Sequence, residues 1–520
     1  MPPTLTYPGV YIEELPSGVH TITGVATSIA AFAGWAPQGS VTEAVLVLSW
    51  SDFARQFGGL SSGNYLGYSV NQFFANGGQQ AYIVRLVATA KDTPAATAFA
   101  ATASGIVSTL TLFASSPGQW GNNLKITVTP STLDPTRFSI LVQLVTGATT
   151  TTLENFANLS VSPTDAQYVV TVIDSDSNYI TFIDPTTGIT PGAPTLPALT
   201  ASGNLGTSTV GADGDVLVPN DGNFELALLS ATLKVGINLL DRVDIFNLLC
   251  VPGETDPTTV KALQTYCAGE RAFYIVDPPQ LSTISGLISS GPAGTGGVSI
   301  IGPDVANAAY YFPWVSAPDP LAGNRPALFP PCGFVAGIYA ATDASRGVWK
   351  APAGVDAGLT SEMGLQYVLT DLENGQLNIK AINCLREFKV YGDVVWGART
   401  LAGNDQAGSQ WKYVPIRRLA LFLESSLYDG TQWVVFEPND ERLWSQIRLN
   451  VGTFMQGLFL QGAFQGTSPQ QAYFVKCDGE NNPQSSIDMG IVNILVGFAP
   501  LYPAEFVVIQ IQQMAGQLNT

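Results

Sequence analysis

Gly59-Leu60-Ser61-Ser62-Gly63 matches the G-x-S-x-G pattern that lifts a nucleophilic serine onto a strand-to-helix turn. Its context is wrong for that chemistry. A short helix rather than a strand precedes it, and the triad order Ser, acid, His needs a histidine downstream. The chain has one histidine, His20, and it lies upstream. One histidine also weakens most acid–base mechanisms near neutral pH. A carboxylate pair of the glycosidase kind remains open, but 40 acidic residues offer no way to select one. Asp174-Ser175-Asp176-Ser177-Asn178 begins like a calcium loop, then has Tyr179 where glycine is needed and Pro185 at the twelfth position. A solvated hairpin tip is the better reading. The glycine-rich run 291–297 lacks a following G-K-[ST] and is no phosphate loop. Cys250, Cys267, Cys332, Cys384 and Cys477 are odd in number, with no C-x-x-C, so they read as buried thiols in a reducing compartment. No catalytic residue, cofactor or metal site is expected.

The elements that would position such residues are built from unusual material. The chain has 520 residues, too many for one core. Of these, 46% are hydrophobic and only 12% charged, about half the usual charged share, so the surface is poor in solvating groups. Either a membrane or other chains must cover it. The membrane reading fails, because 490–509, the best apolar stretch, is cut by Asn493, Pro500, Pro503 and Glu505. No basic, then apolar, leader opens the sequence, which predicts a cytoplasmic product without a signal peptide. The net charge of −18 argues against a nucleic-acid partner. Charge is uneven: 92–225 holds 2 basic and 11 acidic residues, and 380–418 holds 7 basic and 3 acidic. Aromatics lie within the basic cluster, but an excess of four charges fits a protein partner better than nucleic acid.

Patterning predicts a mixed α/β, α+β chain. Strands are expected at 29–34, 44–48 and 81–87, a helix capped by Ser51-Asp52 and ending at Phe57, and a helix over 65–76. From 92 the composition turns to Thr, Ser, Gly and Pro. Hairpins are expected from 124–129 with 138–145 and from 167–173 with 179–183, then a long irregular loop over 184–215. A β-α-β unit follows at 246–251, 257–268 and 272–276, then a flexible loop over 285–297 and a helix starting at Asp304. Asn439 is read as the N-cap of a long helix carrying Leu443, Trp444, Ile447, Val451, Phe454, Met455, Leu458 and Phe459. Three closing segments, 472–476, 490–498 and 506–512, read as strand-like; only the last alternates clearly.

Two terminal strands then lack an obvious partner: Val10, Tyr11, Ile12 and Glu13, and Phe506, Val507, Val508, Ile509, Gln510 and Ile511. A free strand edge pairs readily with another chain. The residues thus point to a self-assembling structural protein. A carbohydrate-active enzyme and a non-contractile tube, capsid or surface-layer protein are the alternatives.

At these same segments the sequence resembles the tail sheath proteins of contractile phages and of phage-tail-like contractile injection systems. Tyr7-Pro8-Gly9-Val10-Tyr11-Ile12-Glu13-Glu14 is similar to the family's N-terminal arm, and Phe73-Phe74-Ala75-Asn76-Gly77-Gly78 with Ala81-Tyr82-Ile83-Val84-Arg85 to its next signature. Tyr310-Tyr311-Phe312-Pro313-Trp314 and the run 343–354 follow. Tyr391-Gly392, the run 396–401 and Pro500-Leu501-Tyr502-Pro503-Ala504-Glu505-Phe506 complete the series. The resemblance implies six-fold rings stacked around an inner tube, arms that exchange strands between subunits, and contraction triggered at a baseplate. Its partners would be further copies of the chain, the inner tube protein, and baseplate and terminal cap proteins, with no direct contact to nucleic acid and no membrane insertion. The particle would be a phage tail or an injection particle assembled in the producing cell.

The expected organisation is an arm over 1–20, a core part over 21–91 and an acidic β-rich insertion on the outer surface over 92–225. A middle domain over 226–375, a tube-facing domain over 376–503 and an arm over 504–520 complete it. In so acidic a chain, Lys412, Arg417, Arg418, Arg442 and Arg448 are the candidates for facing an acidic tube.

Overall fold

The computed structural model describes residues 20–93, 95–185, 187–230, 235–293, 303–405 and 408–510. The chain divides into two compact units, one of residues 26–346 and 351–417, the other of the residues up to 25 with 347–350 and those from 418 onward.

The larger unit is built on an eight-stranded sheet. Its spatial order is Val45–Val47, Ala81–Leu86, Ala30–Trp35, Leu248–Cys250, Phe273–Val276, Ala308–Phe312, Ile382–Phe388, Gly392–Val395. The six inner strands run parallel and each edge strand is antiparallel. Parallel strands must be covered on both faces, which explains their unbroken apolar runs. Ala30–Trp35, Phe273–Val276 and Ala308–Phe312 are buried at every position. One face packs Ala31, Leu249, Tyr274 and Tyr310 against Val260 and Leu263 of helix Pro257–Gly269. On the other, Phe32 meets Phe73 of helix Leu66–Ala75, and Phe273 and Tyr311 meet Tyr339 of helix Cys332–Arg346. These two helices approach closely because Gly333 and Gly337 face the backbone of Ser69 and Phe73; a Cβ at either glycine would lie 2.4–2.7 Å from a carbonyl oxygen.

Between Leu86 and helix Gly222–Leu228 the chain makes a β-rich region with its own core, from Ala103 to Leu205. Strands Leu124–Pro130 and Phe138–Thr146 form the expected antiparallel hairpin, and Thr149–Leu159 extends it. The second expected hairpin does not form. Residues Val169–Asp176 are a helix, because Val169 and Ile173, four apart, both enter this core. Asp174 Oδ1 then accepts from Thr181 Oγ1 and the Phe182 amide, 2.8 Å each, and closes the turn. The run 184–215 is not wholly irregular, since Ala201–Asn204 pairs with Leu124–Pro130.

Other local readings change for similar reasons. Ser49, not Ser51-Asp52, caps the first helix, accepting from the Asp52 amide at 3.1 Å. Only a 3₁₀ turn, Pro303–Asn307, follows the expected helix start at Asp304. Ala308–Phe312 then enters the sheet, where Tyr and Phe fill both faces. Ile284–Ser290, read as loop, is a short helix capped by Thr283. In the smaller unit Asp440 caps helix Glu441–Leu460, and Asn439 instead accepts from Trp444 Nε1 at 2.9 Å. Of 490–498, only Leu495–Phe498 is strand.

Candidate assembly surface

In the smaller unit, helix Glu441–Leu460 buries Leu443, Trp444, Ile447, Val451, Met455 and Leu458. They meet Leu419 and Leu423 in one core, which also takes in Ile22. Strands Tyr473–Lys476 and Leu495–Phe498 pair antiparallel over it. The Tyr473 hydroxyl bonds Gln456 Oε1 at 2.9 Å, holding the hairpin to the helix. The connection is pinned by amides: Asn482 Oδ1 accepts from the Asn493 amide at 2.6 Å, and Asn481 Nδ2 donates to the Asn493 carbonyl at 2.7 Å. Among the described residues this sheet has two strands, so each strand keeps one open edge.

Pro500 bridges to Phe464 and is the last residue of the described chain in a strand or bridge. Residues 501–510 carry no helix or strand. Phe506, Val507, Val508 and Ile509 are 74–80% exposed and Gln510 is exposed too. Four consecutive large apolar side chains in water are hard to reconcile with a solitary chain. Val10, Tyr11, Ile12, Glu13 and Ile511 lie outside the described residues.

The basic candidates are not equivalent. Lys412 Nζ lies 2.7 Å from Asp405, which Arg399 also meets at 3.0 Å. The hydrogen bond from Lys412, with help from Arg399, holds the Asp405 carboxyl below its ordinary range. Arg417 Nε donates to Asn307 Oδ1 at 3.0 Å and its guanidinium lies over Trp411. Arg418 is buried. Arg448 lies 2.6 Å from Glu441 and also donates to the Cys477 carbonyl. Arg442 is exposed, with no ion pair among the described residues.

The larger unit holds the place where such folds usually bind ligands. In open doubly wound sheets that place is the carboxyl end of the strands where the strand order reverses, here between Ala30–Trp35 and Leu248–Cys250. Polar groups near these strand ends bond to the chain's own loops. Arg85, 2% exposed, donates to the carbonyls of Ala36 and Gly39 at 2.7 Å. Asn220 donates through its side chain to the Gly253 carbonyl at 2.8 Å and through its backbone to Glu254 at 3.0 Å. Asp277 accepts from the amides of Gly253 and Cys332 at 3.0 and 2.8 Å. Burial pushes Glu254 up to about 7 and Asp277 up to about 6. Each of these groups braces a loop. The five cysteines are buried and unpaired. No group of ligating side chains suits a metal among the described residues, and no helix there is long and apolar enough to cross a membrane.

Three features of the smaller unit were not read from the sequence. One is a groove of about 490 Å³ that runs along helix Glu441–Leu460 from Asn450 to Gln461. The second is Asn450 itself, 3% exposed, whose carboxamide oxygen and nitrogen both lack partners. Its signal was available: an asparagine interrupts the apolar spacing Leu443, Ile447, Phe454. The third is the tip Val435-Phe436, where Phe436 is 101% exposed with φ +69°.

Residues 406–514 match the family model of the phage tail sheath C-terminal domain. Over 168 residues the chain is 28% identical to the tail sheath protein of Vibrio phage KVP40, covering 32% of this chain and 23% of that protein. Over 274 residues it is 25% identical to a protein of Pseudomonas aeruginosa UCBPP-PA14 named as a prophage major tail sheath protein, covering 51% and 66%. The chain thus spans about a quarter and just under two thirds of these relatives. Its fold is similar to the sheath of the PVC extracellular contractile injection system in the contracted state, with TM-score 0.58, 24% identity and coverage of 98% of this chain and 99% of that one. The contracted helical sheath of the anti-feeding prophage gives 0.57 at 22% identity, covering 98% and 100%. A sheath tail protein from Listeria innocua gives 0.59 at 13%, covering 92% and 96%.

Proposed function

We propose, from the premise that residues 406–514 are a tail sheath C-terminal domain on a sheath-type fold, that this chain is the repeating subunit of a contractile sheath. It polymerises as stacked six-fold rings around an inner tube, held at a baseplate and a terminal cap, and shortens to drive the tube through an envelope. The work is conformational: a metastable packing is kept by a kinetic barrier until triggered. The family match at 406–514 carries this reading, because it includes the exposed segment 506–509 that a solitary chain leaves in water.

Terminal segments that add as strands to neighbours tie the copies together without fixing the angle between their bodies. Residues 10–13 and 506–511 are the donors in this reading, and the open edges of Tyr473–Lys476 and Leu495–Phe498 are suitable acceptors. No chemistry is assigned to the chain, since the polar groups at the mouth of its parallel sheet brace its own loops. Electron microscopy of the purified chain tests the reading. Wide hollow helical cylinders are expected without nucleotide or metal. Persistent monomer across concentration and salt, or thin non-contractile tubes, would overturn it.

A further inference from the structure

The last antiparallel pair of the eight-stranded sheet carries an unmet charge. Strand Gly392–Val395 pairs with Ile382–Phe388 so that Asp393 lies directly opposite Glu387. Residues so placed have Cβ atoms about 5 Å apart, and like charges there repel. Asp393 is 8% exposed, while Glu387 beside it is exposed and Glu362 is half-buried. Burial, then Glu362 and Glu387, raise the Asp393 carboxyl to about 6. Its Oδ1 is sealed from solvent without a partner, and Oδ2 is not sealed. The side chains of Asp393, Glu387 and Glu362 make no hydrogen bond or ion pair among the described residues. A carboxylate this buried needs a cation or donors to offset its lost hydration.

The recess is rigidly held. The Gly354 amide donates to the Val395 carbonyl, the Val395 amide to the Ala357 carbonyl, and the Leu359 amide to the Asp393 carbonyl, at 2.8–3.0 Å. The backbone on this edge is therefore occupied, and only the carboxylates lack partners. Glu362 arrives on the same segment, two residues before Gly364, which pairs with Ser316. The other charges on these elements are engaged or turned away. Arg386 projects from the opposite face and meets Asp371 at 2.8 Å, and Asp356 lies 3.9 Å from Arg346. Lys389, in the hairpin turn, is exposed and makes no ion pair among the described residues.

Lys234 is the only cationic side chain outside the described residues. It precedes the turn Gly236–Arg242, which packs on strand Ala81–Leu86. That strand stands six places from Gly392–Val395 in the sheet, about 29 Å at the usual strand spacing. Lys234 therefore does not serve the recess. Elsewhere Lys91, Arg242, Lys261, Arg325 and Arg442 are exposed and make no ion pair among the described residues. We propose that the recess of Asp393, Glu387 and Glu362 receives one of these five side chains from a neighbouring copy. Copies of net charge −18 repel one another, and a pair of this kind restores attraction at one fixed place. The contact rests on the sheath reading and adds to it a charged joint distinct from the terminal strands. An occupied recess keeps Asp393 ionised, so the assembled chain holds fewer protons. Assembly then weakens as pH falls through about 6. Repulsion between acidic copies gives the opposite trend, because it relaxes as pH falls.

Full-length variants test the joint by critical concentration for assembly. Asp393→Asn keeps the shape and removes one of two facing carboxylates, so the monomer melts no lower. Assembly at about pH 8 should nonetheless need about tenfold more protein. The wild-type chain should need more protein at about pH 5 than at about pH 8, and Asp393→Asn should lose that trend. Glu387→Arg sets a guanidinium opposite Asp393, fills the recess from within and should abolish cylinders. In that background, reversing one of the five exposed cations to Glu should restore them. Wild-type assembly by Asp393→Asn, a pH trend shared by both chains, or rescue by none of the five sinks the joint and leaves the sheath reading standing. Rescue by Lys389→Glu alone also sinks it, because the pair would then lie within one chain. So does loss of tube retention with self-assembly intact, which would assign the cation to another partner. A wild-type chain that never polymerises sinks both.

Discussion

Single residues in this chain mostly brace the fold, and their ionisation shows it. Glu254 is fully buried, and its folded pKa is raised from 4.5 to about 7. Between those values the unfolded chain has released a proton that the folded chain still holds. The stabilisation this group contributes is therefore full below about 4.5 and falls as pH rises towards 7, with Asp277 adding in the same sense from 3.8 to about 6. The Glu254 contribution is on the order of 3 kcal/mol. Glu254→Gln should flatten the fall in melting temperature between pH 5 and 8; an unchanged slope would show that the carboxyl is ionised at no cost. The basic candidates need sorting by the same logic. Arg418→Glu places a carboxylate in a buried site and should unfold the domain, so it says nothing about a tube. Arg448→Glu breaks the pair with Glu441. Arg442→Glu, at an exposed side chain, is the informative reversal. Retention of tube in assembled particles should drop, with more loss at low salt than at high. Normal retention at every salt would move the contact elsewhere.

Whole elements were legible where one physical rule dominated. The buried parallel strands announced themselves as apolar runs, and the long helix by its three-and-four spacing. Reading failed where two rules competed. Val169–Asp176 has the β-branched residues of a strand, but a helix buries Val169 and Ile173 on the same side. Ala308–Phe312 follows a helix-capping aspartate, yet belongs to the sheet because the strands beside it are already parallel and covered. The groove was invisible because it arises from three segments far apart in sequence, at 21–25, 422 and 450–461. Close packing of elements gives its own prediction. Gly337→Val forces helix Cys332–Arg346 away from Leu66–Ala75, since even a Cβ would lie 2.5 Å from that of Asn76. A loss of 2–3 kcal/mol or more, about what overpacking a core costs, is expected in denaturant melts. The terminal segment predicts the opposite behaviour. Stopping the chain after Pro503 removes the exposed run 506–510 and, among the described residues, no member of the smaller unit's core, so a folded monomer should persist while cylinders vanish. Assembly as before would clear 506–510 of any role in joining copies.

At the scale of the molecule, the question is which parts a polymer needs. The β-rich region closes on its own core between Ala103 and Leu205, separate from the core around the main sheet. Its entry and exit meet. Asp215 accepts from the Thr97 amide at 2.5 Å and from the Thr97 hydroxyl at 3.0 Å, so the two crossing strands of chain lie side by side. The main core begins again at once, with Leu217 and Phe224 buried in it beside Ala96. An excision must therefore stop short of them. Replacing 98–214 by two or three glycines joins Thr97 to Asp215 across a gap that is already closed, and should leave the larger unit folded. The excised stretch carries Lys125 and Arg137 against seven acidic residues, a balance that suits a solvated outer face and not a joint between acidic copies. The expected outcome is cylinders of the same helical repeat and smaller outer diameter, measured by electron microscopy. The repeat is the sensitive readout, because it reports the contacts that set rotation between copies. A chain that folds, shown by an unchanged melt of the larger unit, but forms no cylinders would mean that this region joins neighbouring subunits and is not an ornament on their surface.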